Sequence, residues 1–600
     1  MHRPTVNMRK IPTSIFFSVF ACLLFLNSVF VPVQAQSQTE PKYGGTLIIA
    51  TGSGWETPTL NPALYGIVGE SSKIFSSLIQ HDLDLNPQPD LAESWAISED
   101  GKTYTFHLVR NATFHDGKPV TSADVKFTIE EVVIPYDPLG KVVWKDLESI
   151  ETPDNYTVVF KLKQPFSALI FMLDMGSGGP PVLPKHLYEG TDIPNNPYNQ
   201  KPIGSGTFKF VKWEKGNQLI LERNENYFRK GLPYLDRVII KTMPDTTSIA
   251  LAIESGEVNY APAGISFADV KRLRDLDNVE VSFAGQEGNG ETLSLVVNLD
   301  HLILGNQKVR QALAHAVDKD MIIDRIYIEE QKAAVMPVSS SVRWAFNPDV
   351  QKYEHSAEEA NRLLDEAGYP KGPDGKRFAI ELSNIAGIQD RLKVTEIVRE
   401  QLREVGIEVT VVSLELAAYD DVVIRNRDFD LALEGWSSGP DPSVQLAQLF
   451  HSKQAGVFLG NGANYKNERV DELLDAAAVE SDREKKAQML YEVQDHLARD
   501  LPFISLVELT LPSAYTTDFV GLPSSPWVPT EPMEKVWWTG GTGSGIDQAP
   551  ESSESESIAN GSSLVALVII AGIVITTVVG IIAVYARRRS KANRPREGTS

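Results

Sequence analysis

The chain has 600 residues, 42% of them hydrophobic, with a formal charge of −22 and a single cysteine. Such a length supports several domains, and a strongly acidic surface repels nucleic acid. Cys22 lies in the leader, so the exported part has no thiol for disulfides, cysteine metal sites or thiol catalysis.

Residues 1–35 read as a signal peptide. Arg3, Arg9 and Lys10 form a basic start, Ile15–Phe30 an apolar stretch, and Val33-Gln34-Ala35 a small-residue cleavage site. Asn27 and Ser28 interrupt the apolar stretch, which favours cleavage over an anchor helix. Gln36–Lys42 is a polar leader, and Gly45–Ala50 a buried strand ended by Thr51–Gly54. Trp55-Glu56-Thr57-Pro58 then leads into Leu60-Asn61-Pro62. A Gly/Ser loop after a strand can cradle phosphate, but no GxxxxGK[ST] pattern occurs.

Thr103, Thr105 and His107 alternate with Tyr104, Phe106 and Leu108, the signature of a half-buried strand. The turn Glu99-Asp100-Gly101-Lys102 pairs it with Ser94–Ile97. After the turn Asp116-Gly117-Lys118-Pro119, Thr121 or Ser122 caps a helix carrying Val125, Phe127 and Ile129. A strand pair is expected around Tyr156–Leu162, strands at Thr207–Trp213, Gln218–Arg223 and Arg237–Thr242, and a helix at Thr247–Ser255. One longer helix is expected where Val309, Ala312, Leu313, Ala316, Val317 and Met321 form a stripe. Ser356 with Glu359 is a capping box, and Gly368 and Pro370 end that helix. Phe378–Ser383, Arg391–Val405, Ile407–Val412 and Phe429–Glu434 read strand, helix, strand, strand, a βαβ-containing lobe. Helices at Glu468–Val479 and Arg483–Arg499 precede a strand at Phe503–Val507.

Thr539–Ser563 is a Gly/Ser/Glu linker with an r.m.s. span of about 25–30 Å. Leu564–Ala586 follows, 23 residues without a charge, long enough at about 1.5 Å per residue to cross a bilayer. Six basic residues between Arg587 and Arg596 then place the C-terminus in the cytoplasm and residues 36–563 outside. Setting aside the leader (+3) and the tail (+5) leaves −30 on the exported part. Solubility outside the cell accounts for that surface.

Several motifs stand in one order: GGTLIIA with LNP; LAESW, DGKTYTFHL and FHDGKPVTSADVKF; PIGSGTFKFVKWEKGNQLILERNENYF; GLPYLDRVIIKTMPD; NQKVRQALAHAVDKDMI; and FDLALEGW with PDP. Together, from Tyr43 to Tyr515, they resemble the solute-binding proteins of ABC importers, in the peptide/nickel class called family 5. The resemblance implies an α/β, two-lobed periplasmic-binding-protein-like fold of type II with an extra inserted domain; the charge-free span adds a C-terminal transmembrane helix. The expected division is lobe I at 36–62, 198–290 and 509–538, an inserted domain at 63–197, and lobe II at 291–508. The linker (539–563), membrane helix (564–586) and basic tail (587–600) follow.

The expected function is a membrane-anchored extracellular receptor that hands peptides to an ABC permease and its ATPase, without catalysis, cofactor or metal. Oligosaccharide is the second ligand class, since nine tryptophans suit stacking on sugar rings. A surface or adhesion protein that has lost transport is the rival from another class. No HExxH or GxSxG occurs, and His107 and His115 have poor metal spacing. Archaeal-type surface anchoring fits the C-terminal span.

In open α/β sheets ligands sit beyond strand carboxyl ends. Trp55, Glu56 and Thr57 follow the first strand; Trp436, Ser437 and Ser438 follow Phe429–Glu434. Each set offers an aromatic face beside polar groups, and the resemblance puts both at the ligand cleft. The bland alternative is packing of each tryptophan within its own lobe. Peptide-binding relatives carry an aspartate three residues after this second tryptophan, which holds the ligand's α-amino group. Here that position is Gly439, and Asp441 is either its substitute or an Asp-Pro turn residue. Asn111, Asn155 and Asn560 head glycosylation triplets, with Asn560 in the linker the most accessible.

Overall fold

The computed structural model describes residues 40–540 apart from 53–56, 66–68, 138–139, 328–330, 387, 458–459 and 529–530. The signal peptide, most of the linker, the charge-free span and the tail lie outside the described residues, as do Trp55, Glu56 and Asn560. No helix among the described residues is long and apolar enough to cross a membrane.

The first strand, β1 (Thr46–Gly52), alternates its apolar side chains between two layers. Leu47 and Ile49 enter the large first-lobe core, whereas Ile48 and Ala50 meet a smaller cluster on the opposite face. A short ladder, β2 (Ile79–His81) with β3 (Pro87–Pro89), follows. Then comes the hairpin β4 (Ala92–Ile97) and β5 (Thr103–Leu108). Its turn is closed by Gly101 at φ +65°, a conformation glycine adopts without steric cost. Helix α1 (Ser122–Phe127) starts at Thr121, whose backbone N–H bonds Asp124 Oδ2 at 2.8 Å. With β6 (Leu147–Asp154) and β7 (Thr157–Leu162) the hairpin makes a four-stranded antiparallel sheet, ordered β4-β5-β7-β6. Tyr104, Phe106, Val158 and Phe160 are buried on one face of it, as the alternation requires.

Strands β8 (Phe208–Glu214), β9 (Gln218–Arg223) and β10 (Arg237–Met243) return to β1, with β10 parallel to it. Helix α2 (Thr246–Glu254), β11 (Tyr260–Ala261), α3 (Phe267–Arg274) and β12 (Val279–Ser282) follow. The chain then enters a second sheet at β13 (Glu291–Val297). The apolar stripe expected to form one helix forms two, α4 (Gln307–Ala316) and α5 (Lys319–Ile326). Val317 is extended, and the Asp318 side chain accepts Met321 N–H at 2.9 Å, restarting the helix. After β14 (Lys332–Ala333), α6 (Ala357–Glu366) begins at Ser356, whose hydroxyl accepts Glu359 N–H. A parallel β15 (Phe378–Ile385), α7 (Gln389–Glu404), β16 (Ile407–Leu414) unit comes next. Strand β17 (Leu431–Ser437) runs two residues later at its start and three at its end than its apolar run suggested, because it pairs along the whole of β13.

Helices α8 (Pro442–Phe450), α9 (Glu468–Val479) and α10 (Arg483–Asp500) lead to β18 (Phe503–Leu509). The second sheet is ordered β14-β18-β13-β17-β15-β16. The chain then returns to the first sheet as β19 (Ser513–Thr516), between β12 and β11. Two sheets, each with its own apolar core, are thus joined by residues 283–290 and 510–512. This is the two-lobed α/β architecture of periplasmic binding proteins.

Candidate functional site

The two crossovers are tied by side-chain amides. Gln286, on the first, donates to Leu511 O at 2.5 Å and accepts Leu511 N–H at 3.0 Å. Gln331, on the second lobe, does the same to Thr510, at 3.1 and 2.8 Å. Each glutamine reproduces the two-bond rung of an antiparallel ladder where no neighbouring strand is present. Trp527 lies across the first crossover, its segment bonded by Val528 N–H to Gly285 O at 2.8 Å and by Gly288 N–H to Pro526 O at 3.1 Å. Its indole packs so closely on Gly176 and Gly288 that a Cβ at either would stand 2.2 or 2.1 Å from a ring carbon.

Beside this joint a cavity of about 880 Å³ opens between the loop at Asp84 and the second lobe. Asp84, Glu287 and Glu484 line it with Arg343, Arg483 and Lys485, so it carries both signs of charge in equal number. The Arg483 guanidinium sits 5.0 Å over the Trp344 ring, and Trp344 Nε1 donates to Pro440 O at 3.1 Å. Several links cross between the sides, among them Arg483 Nη1 to Asn86 Oδ1 at 3.4 Å and Ser167 Oγ to Ala478 O at 3.2 Å. Arg343 and Asp84 are 3.4 Å apart but both exposed, which makes the pair weak. Lys486 Nζ donates across the cleft to half-buried Ser167 Oγ at 2.5 Å, and within its own lobe to buried Asp441 Oδ2 at 2.6 Å.

The residues expected at the site divide. Thr57 is half-buried and donates to Thr59 O two residues on, as a local turn bond. Trp436 and Ser437 fall inside β17 instead of after it. Trp436 is half-buried on the face that packs against the helical core of the second lobe, with Ala432. Its Nε1 is buried and has no partner among the described residues. Ser437 Oγ donates to Asn289 O, and Ser438 Oγ to Gly290 O at 2.9 Å, so both hydroxyls fasten β17 to the first crossover. Gly290 is required there: at φ +51° its Cβ would stand 2.4 Å from Ser438 Oγ.

Asp441 is the N-cap of α8. Its Oδ1 accepts Ser443 N–H at 3.1 Å and Ser443 O–H at 2.6 Å, while Oδ2 takes Lys486. Both oxygens are engaged, and the ammonium it holds belongs to this chain. Nothing stands within 4 Å of a Cβ built on Gly439, which has φ +62°. Among the glycosylation triplets, Asn155 is exposed in the β6–β7 turn, whereas the Asn111 amide donates to Phe228 O at 2.8 Å.

Sequence reasoning missed Lys486, Ser167, Trp344, Arg483 and Trp527. Lys486 sits on a long charged helix like any surface lysine, and no pattern links it to Ser167, 319 positions earlier. It also missed the pair Glu291–Arg391, 3.5 Å apart, which lies over Gly435 because that residue has no side chain. Burial raises the Glu291 carboxyl above its usual range, and Arg391 opposes the rise.

Comparison with known proteins places this geometry. The family model for bacterial extracellular solute-binding proteins, family 5 middle region, matches residues 86–457. The oligopeptide-binding protein AppA of Bacillus subtilis is 31% identical over 526 residues, covering 84% of this chain and 93% of that protein. Its solved structure, in complex with a nonapeptide, has a TM-score of 0.67 at 29% identity and covers 83% of this chain and all of that one. NikZ from Campylobacter jejuni, solved with Ni(L-His), gives 0.66 at 29% identity, over 80% of this chain and 95% of that one. DppA from Helicobacter pylori, with the peptide STSA, gives 0.67 at 26%, over 83% and 99%.

Proposed function

The chain belongs to family 5 of the bacterial extracellular solute-binding proteins, and from that premise we propose that it captures peptides outside the cell and delivers them to an ABC permease. It is a transport binding protein and not an enzyme. The observation that carries the peptide reading is the full-length similarity to an oligopeptide binder, 93% of whose length is matched. The cavity between the lobes supports it, since a peptide is itself a carrier of both charges and Asp84, Glu287, Arg343 and Arg483 offer both counter-charges.

In this reading the lobes close on the ligand about the Gln286 and Gln331 rungs, and the closed form is what the permease recognises. Trp55, Glu56 and Thr57 contribute one wall, and Trp436, Ser437, Ser438 and Asp441 the frame of the other. The division into lobe I, inserted domain and lobe II given above belongs to the same proposal. So does tethering by the span 564–586, with residues 36–563 outside and the C-terminus in the cytoplasm.

Native mass spectrometry of the purified full chain, followed by calorimetry with a peptide library, tests the function. Retained peptide with saturable binding is expected. Binding of oligosaccharides with no peptide response would replace the reading.

A further inference from the structure

A second cavity, of about 490 Å³, lies on the first-lobe side of the joint and shares Leu83 with the larger one. His81, at the end of β2, lines it with its side chain fully buried. The imidazole stacks on Phe171 at 4.9 Å and meets the edge of Trp527 at 6.3 Å, so the ring is fixed. Nδ1 is 2.8 Å from Asp174 Oδ2, an oxygen that also accepts Trp527 Nε1–H at 3.0 Å. A carboxylate oxygen can only accept here, so Nδ1 carries the hydrogen and the lone pair of the neutral ring is on Nε2.

Nε2 is buried and has no partner among the described residues. Ser524 Oγ, on a second residue lining the cavity, is in the same condition. Ser524 N–H is held by Glu531 Oε1 at 2.8 Å, which fixes the loop and leaves the hydroxyl alone. Buried polar atoms are ordinarily satisfied, and two orphans on one cavity point to a missing partner. The space is far larger than one water requires.

Charge selects the partner. Asp82, Asp90, Asp174 and Glu534 line the cavity against Arg229 and Lys535, and Arg229 is already engaged by Asp90 and Glu534. No group of three or more His, Asp or Glu among the described residues is placed to hold a metal ion. We propose that this cavity is a second binding site, which takes a primary ammonium group by N–H bonds to His81 Nε2 and Ser524 Oγ. The ammonium belongs either to a small free amine or to the amino end of a peptide that reaches in from the larger cavity. The site stands whether or not the principal ligand is a peptide.

Calorimetry on the full chain in detergent tests it, with n-propylammonium as probe and n-propanol and propionate as neutral and anionic controls. Saturable binding of the ammonium is expected, about tenfold tighter than n-propanol, with none for propionate. His81→Asn keeps a donor for Asp174 and removes Nε2, so affinity falls about tenfold while the ligand-free melting temperature holds. If that variant does not fold, Ser524→Ala, expected to weaken the probe several-fold, and one saturable ring-nitrogen shift in the ¹⁵N-histidine-labelled wild type serve instead. Competition by free but not N-acetylated peptides assigns the site to peptide amino ends; independent binding assigns it to free amines. Equal affinity for n-propanol, preference for propionate, or no saturable binding would overturn the proposal.

Discussion

Lys486 Nζ stands 2.6 Å from Asp441 Oδ2, in a pair whose side chains are 5% and 3% exposed. Two buried opposite charges are costly to desolvate, and removing one leaves the other unpaired. Lys486→Met is therefore expected to destabilise the protein by about 3–5 kcal/mol, and Lys486→Met with Asp441→Asn to recover part of the loss. Urea unfolding of both variants measures it. Equal stability of wild type and Lys486→Met would show the pair to be dispensable.

The same ammonium holds Ser167 from the other side of the cleft. Ser167→Ala removes that link and leaves the ion pair intact. The ligand-free population should shift toward the open form, seen as a larger radius of gyration in X-ray scattering, and affinity should fall a few-fold, about 1 kcal/mol. An unchanged scattering curve would mean that the contact does not bias closure.

Gly439→Asp restores the aspartate that peptide-binding relatives carry. Space is open around the Cβ, and aspartate is among the few residues that tolerate φ +62°. Affinity for peptides with free amino ends should rise about tenfold over acetylated ones, the effect of one charge-assisted bond. Calorimetry with matched free and acetylated peptides decides it, and an equal response to both would point to an amine held elsewhere.

Trp436→Ala separates packing from binding. The ring belongs to the helical core of the second lobe and is half-buried, so truncation should cost about 3 kcal/mol of ligand-free stability. Measuring affinity on the same variant tests its proposed place at the ligand. Unchanged stability with a loss of about tenfold in affinity would mark the indole as a ligand contact instead.

Asp90 gives a pH dependence. Burial raises its carboxyl from 3.8 to about 6 against the pull of Arg229. The folded chain thus holds this proton more tightly than the unfolded one, and the stability it contributes is complete below about pH 4 and lost as pH rises through about 6. The stability difference between wild type and Asp90→Asn should shrink by up to about 3 kcal/mol across that window. Urea titrations at about pH 4, 5, 6 and 7 follow it, and a difference constant with pH would refute the raised carboxyl.

Local structure was readable where one segment decides it. The Ser356 cap and the hairpin at Thr103–Leu108 depend on neighbours in sequence, and both form where they were expected. The stripe through Met321 misled because Val317 and Met321 continue the apolar period across a break that Asp318 makes. Strand β17 extends through Trp436 because β13 pairs with it along its whole length, a fact absent from its own residues. Family motifs singled out the stretch from Trp436 to Asp441, but Asp441 reads as free until Lys486, 45 positions on, is placed against it. His81 gave no signal, since neither Asp174 nor Trp527 is near it in sequence.

The glutamine rungs at 510 and 511 also constrain how the protein can move. Gln286 bolts one interlobe strand to the other, and Gln331 pins the second strand to its own lobe, so the two connections form one stiff axle. Sliding of one crossover past the other would break both Gln286 hydrogen bonds together, whereas rotation about the axle keeps them. The outer faces of the lobes then pass through a single family of positions, fixed by one angle. On the proposed function, a permease docked across both faces would need to gauge only that angle to tell a loaded receptor from an empty one, whatever molecule had closed it.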